Sequence, residues 1–195
     1  MALVLNGSGT IQSDDITLSG NANVTGAFAV TGDMGIAAAD LPTGSVLQVL
    51  QTTKTDAFST TSASYVDLTG LSISITPSST SSKILVFYNI DAGTAGDVVH
   101  GYLTLVRGST EIFKADTASN RRSATGVINT GTQTSQMHSA TYLDSPSTTS
   151  ATTYKVQILS SNGNAIYVNR SGRDSDSLTN DGRSVSSITV MEIAG

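Results

Sequence analysis

A six-residue beat near the start of the chain constrains its fold more than any other feature. Leu18, Val24, Val30 and Ile36 are spaced six apart, and Gly20, Gly26 and Gly32 keep the same interval. A unit this short cannot bury its apolar side alone and must stack on neighbours. Three units are too few for a solenoid within one chain. The neighbours are therefore expected from other copies of the chain, or from a surface on which the segment lies.

The rest of the sequence reads as strands. Charged residues make up only 13% and hydrophobic residues 38%, and Ser, Thr, Gly and Asn fill the difference. Val, Ile and Thr are plentiful and favour pleated structure, which separates the chain from charge-rich disordered sequences. Leu41-Pro-Thr-Gly44 reads as a hinge, because Pro and Gly together punctuate elements. Beyond it, Val46 to Leu50 opens a strand, Tyr65 to Leu68 forms a short one, and Leu71, Ile73 and Ile75 alternate with polar residues. Ile84-Leu-Val-Phe-Tyr88 is a continuous apolar run, expected in a central strand buried on both faces. Residues 98–114 read as a hairpin turning at Gly108-Ser109, with Val99, Gly101, Leu103 and Leu105 on one side. Further strands are expected at 124–129, 136–143, 154–159, 165–169 and 187–193. Asn162-Gly-Asn164 reads as a hairpin turn, and 170–184 as a long polar loop. No amphipathic helix is evident. The expected fold class is all-β, with a repetitive N-terminal stem over 1–44 and an antiparallel β-sandwich or jelly-roll head over 45–195.

Charge and composition exclude several functions. A net charge of −5 and a sequence pI near 4.7 argue against nucleic-acid binding, which needs clustered Lys and Arg. With no cysteine there is no disulfide, thiol nucleophile or thiolate metal site. Met1 to Gly7 lacks the basic start and apolar length of a secretory signal, and no run approaches a membrane-spanning helix. The expectation is synthesis in a host cytoplasm without membrane insertion. No Gly-x-Ser-x-Gly elbow or phosphate-cradling loop is present. Glu111, Glu192 and Asp91 are the strand carboxylates available for acid–base chemistry, and each reads more simply as a strand-end or interface residue. His100 and His138 lie in expected strands. Two histidines without convergent carboxylates do not make a metal site, so neither a metal nor a cofactor is expected. Trp is absent and aromatics are 5%. Tyr88, Tyr102, Tyr142 and Tyr167 are the available stacking surfaces, with core or interface packing as their simpler use.

The densest charged stretch is Arg170 to Arg183. Its Asp174, Asp176, Asn180 and Asp181 offer oxygen ligands, but no Glu closes a twelve-residue calcium loop. Arg170, Arg173 and Arg183 sit among these acids and can pair with them instead. A loop of this length is also a place where contacts with a partner concentrate.

Leu3-Val-Leu-Asn-Gly-Ser-Gly-Thr-Ile11 resembles the starts of short fibre and appendage proteins of tailed bacteriophages, especially those of marine and cyanobacterial hosts. The repeats from Leu18 to Gly32 resemble their stems, and Leu41-Pro-Thr-Gly-Ser-Val-Leu-Gln-Val49 their stem–head junction. Ser187-Ile-Thr-Val-Met-Glu-Ile193 resembles the last strand of their terminal β domain. The resemblance implies a homotrimeric virion protein with jelly-roll heads, fixed to other virion proteins by its N-terminal part and meeting a host-surface glycan or protein. It implies no catalytic residues. Leu18, Val24, Val30 and Ile36 would then line the trimer stem, and the 170–184 loop would contact the receptor. A capsid decoration protein bound to the shell through its N-terminal arm is the structural alternative. A depolymerase and a monomeric carbohydrate-binding module are the others.

Overall fold

A computed structural model describes residues 41–97, 99–131, 134–177, 179 and 181–195. The stem residues Leu18, Val24, Val30 and Ile36, with the rest of 1–40, lie outside the described residues, as does Asn180. The described residues form eleven strands and no helix. These are β1 (Val46–Lys54), β2 (Phe58–Thr60), β3 (Val66–Ile75), β4 (Lys83–Thr94), β5 (Gly101–Arg107), β6 (Thr110–Phe113), β7 (Gly126–Ile128), β8 (Ser135–Asp144), β9 (Thr152–Ser160), β10 (Ile166–Val168) and β11 (Ser186–Ile193).

All pairings are antiparallel, and two sheets result. In the first, β4 carries β8 along one edge. Its other edge is shared by β11 over Lys83–Asn89 and β10 over Ala92–Thr94. β1 extends the sheet beyond β11, and β2 extends it beyond β10. The second sheet runs β3-β9-β5, and the far edge of β5 is divided between β6 and β7.

Alternation decides which side of each strand is buried. Ile84, Val86, Tyr88 and Ile90 of β4 and Ile188 and Val190 of β11 face Leu71, Ile73, Ile75, Tyr154, Val156 and Ile158 of the second sheet in one apolar core. Burial of each such side chain contributes about 1.5–3 kcal/mol. The core phase of β5 includes Gly101, as the sequence indicates. A Cβ there would lie 3.1 Å from Ile166 Cδ1 and 3.2 Å from Ile128, so the two isoleucines occupy the space a side chain would need.

Four expectations are corrected. The segments 65–68 and 71–75 are one strand, β3, bent where its register with β9 shifts between Asp67 and Ser72. Gly70, at φ +85°, supplies the backbone conformation of that bulge. The turn at Asn162-Gly-Asn164 has its positive φ at Gly163 but does not make a hairpin. It passes the chain from β9 in one sheet to β10 in the other. β2 has no counterpart in the sequence reading. β4 is central, yet it is fully buried on only one face, because Leu85 and Phe87 remain partly exposed.

Candidate functional site

The 170–184 loop is built from its ends inward. It leaves β10 at Asn169, which is fully buried and held at φ +61°. Asn tolerates this left-handed region better than most residues. Its side-chain nitrogen donates to the Lys54 carbonyl at 2.8 Å and the Asp56 carbonyl at 3.0 Å. Its side-chain oxygen accepts from Ser186 Oγ at 2.6 Å. Its backbone N–H donates to the Asp91 carbonyl at 2.9 Å. One residue therefore ties the loop to β1, β4 and β11. The return is fixed by Ser184, whose N–H donates to the Asn169 carbonyl and whose hydroxyl donates to the buried Asp91 carboxylate.

Within the loop the acids face arginines. Arg173 grips Asp181 through Nε and Nη2 at 2.8 and 2.7 Å, and the Ser175 N–H adds a third donor at 2.8 Å. The Arg173 hydrogen bonds, with that backbone donor, hold the Asp181 carboxyl down at about 2. Asp174 lies between Arg170 at 3.2 Å and Arg183 at 2.9 Å. The Arg170 guanidinium also sits 3.9 Å from the centroid of the Tyr167 ring. Asp176 is exposed. The structure thus brings Arg170, Arg173, Asp174, Asp181 and Arg183 into two ion-paired groups, Arg173 with Asp181 and Arg170 and Arg183 with Asp174. Among the described residues, no group of three His, Asp or Glu side chains is placed to share a metal ion.

The loop covers the far end of the outer face of the first sheet. Asp91 is 6% exposed beneath it, and a Cβ on Gly93 would lie 3.1 Å from the Arg170 carbonyl. Beside this contact is an open polar cleft of about 300 Å³, lined by Asp91, Thr134, Ser135, Ser171, Arg183 and Ser184. Hydroxyls and a carboxylate in that arrangement can exchange hydrogen bonds with a polyol or a peptide backbone. The near end of the same outer face is not covered by the loop. There the register sets Val49 opposite Met191, Met191 opposite Leu85, and Leu85 opposite Leu143. Directly opposed residues share a face, so these four form an apolar stripe across β1, β11, β4 and β8. Val49 and Leu143, at its ends, are each 52% exposed. The sequence reading missed this stripe, because pairing between distant strands is not written in local patterns. The continuous apolar run of β4 was its only local trace.

The other candidates are dispersed. Glu192 is buried and accepts from the Ser78 N–H at 2.6 Å, Ser78 Oγ and Ser82 Oγ at 2.7 Å, and Gln48 Nε2 at 2.6 Å. Glu111 pairs with Lys114 at 2.5 Å. Arg107 and the Tyr154 hydroxyl hold the buried Asp144 carboxylate. His100 Nδ1 lies 3.1 Å from the Asn129 amide nitrogen. Burial lowers the His138 pKa against the opposing pull of Asp91. Tyr88 is in the core, Tyr142 stacks on Phe113 at 4.8 Å, and Arg122 lies 6.0 Å from the Tyr102 ring centroid.

No protein-family model matches the chain, and no curated protein matches its sequence. Among solved structures, the fold is similar to a chain in the structure of infectious bursal disease virus, Gx strain, with a TM-score of 0.39 and 16% identity. The match covers 85% of this chain, which spans 46% of the length of that one.

Proposed function

We propose that the chain is a virion structural protein: a homotrimeric fibre or appendage of a tailed bacteriophage. In this reading, residues 1–44 form the stem and bind other virion proteins, and residues 45–195 form the head that meets a host surface. The carrying observation is the six-residue apolar beat of Leu18, Val24, Val30 and Ile36, which cannot bury itself and which partner copies would bury, joined to an all-β domain. The resemblance of the chain ends and the hinge to phage fibre proteins supports the same reading. The 170–184 loop is the receptor-contact element. Its internal ion pairs fix its backbone in advance, which lowers the ordering cost of binding, and its hydroxyl-lined cleft suits a glycan or an exposed peptide. Catalysis forms no part of the proposal.

Light scattering of the purified chain tests this. Trimers have a mass of about 60 kDa, three times the 20.0 kDa chain. A mass of about 20 kDa at all concentrations rejects the trimeric fibre and favours a monomeric binding module. Antibody labelling of intact virions then separates the two virion roles. Labelling at the tail fits a fibre, and labelling over the head surface fits a capsid decoration protein.

A further inference from the structure

We infer that the uncovered apolar stripe on the outer face of the first sheet is where the β heads of neighbouring copies of this chain pack together. The inference rests on the homotrimer reading and assigns it a surface. Three observations select a second copy as the occupant.

First, the sequence of β4 is that of a strand buried on both faces, yet among the described residues one face stays partly exposed at Leu85 and Phe87. The described residues of the 170–184 loop cover the Asp91–Gly93 end of that face. Second, forty residues precede Leu41, and the chain enters the head at the rim of the stripe. Leu41 is exposed, the Gly44 N–H donates to the Ala194 carbonyl at 2.8 Å, and Val46 lies opposite Ile193 in the row beside Val49 and Met191. The described chain therefore enters the head next to its own stripe. Third, the surface has the composition of an interface centre. Its neighbouring row is the neutral Gln51, Thr189, Phe87 and Thr141, and its rim charge, Lys83, is bonded to Ser145 Oγ at 2.9 Å. Cyclic trimers close by head-to-tail contacts between two different surface parts of each copy. The stripe supplies such parts, because Val49 stands on the edge strand β1 and Leu143 on the edge strand β8 at the opposite side of the sheet.

The chain contains no cysteine, so introduced thiols report without background. Leu143→Cys is compared with Val127→Cys, whose position on the other sheet is 54% exposed against 52% for Leu143. Val49→Cys serves as a second probe of the stripe. Maleimide labelling is timed on full-length variants at the concentration used for light scattering. In a species of trimer mass, both stripe thiols are expected to label about tenfold more slowly than the Val127→Cys thiol, because access governs thiol reactivity. Equal rates in a species of trimer mass overturn this surface and leave the trimer standing. A monomer mass for the unsubstituted chain overturns the trimer reading itself, and this inference with it.

Discussion

The donors to Glu192 are all neutral: a backbone N–H, two serine hydroxyls and the Gln48 amide. Burial raises the pKa of this carboxyl, but the hydrogen bonds to its charged form outweigh burial, and the net shift is downward. The charge therefore stabilises the fold. A depressed folded-state pKa gives a stabilisation that is complete above the unfolded value and is lost as pH falls through the folded one. For a glutamate this begins below about pH 4.3. Urea midpoints of the native chain should fall more steeply below that pH than those of Glu192→Gln. At neutral pH, Glu192→Gln should cost about 1–3 kcal/mol, because an amide cannot accept all four donors. Parallel pH profiles for the two proteins would remove Glu192 from the account. The sequence places this residue in a strand at 187–193, where it reads as a strand-end or interface carboxylate; the structure sets it in phase with Ile188 and Val190, on the core side of β11. What the sequence did not indicate was the company. Gln48 and Ser78 are more than a hundred positions away, and only the folded register brings them to Glu192.

At the scale of elements, the same division between local and distant information recurs. Strands with strict alternation, such as β3 after Leu71, β9 and β11, were legible because each side chain reports its own face. The 170–184 loop was legible as a loop, and its arginines and aspartates as natural partners. Which acid pairs with which arginine was not, because that depends on the bend at 172–173 and the positive φ of Asp174. β2 was invisible because three residues, Phe58–Thr60, are too short for a period to show. The loop also depends on a residue outside its charged run. Asn169→Ala removes three side-chain hydrogen bonds and puts a Cβ-only residue at φ +61°. The expected loss is about 2–4 kcal/mol in a denaturant titration. Asn169→Gly keeps the backbone freedom and loses only the hydrogen bonds, so it should fall between alanine and the native residue. If alanine and glycine are equally costly, the left-handed backbone contributes nothing and the side-chain contacts carry the whole effect.

For the whole molecule, assembly is the property most open to test. Val30→Asp places a carboxylate where the six-residue beat is proposed to meet its copies. An unpaired carboxylate in such a seam must stay charged or take up a proton, and either costs on the order of several kcal/mol per chain. Light scattering should then show monomer where the native chain shows trimer, and far-UV circular dichroism of the β domain should be unchanged. A trimer that survives the substitution would mean that this beat does not face the axis. The head itself closes by pairing its ends, with Val46 opposite Ile193 and the Ala194 N–H donating to the Ser45 carbonyl. Entry and exit of the domain are therefore a single doorway. Anything fused after Gly195 leaves beside the incoming chain. The head is thus a cartridge that can be spliced into a loop of another protein with one seam, or circularly permuted by joining its ends and reopening it at the exposed Asn162-Gly163-Asn164 turn.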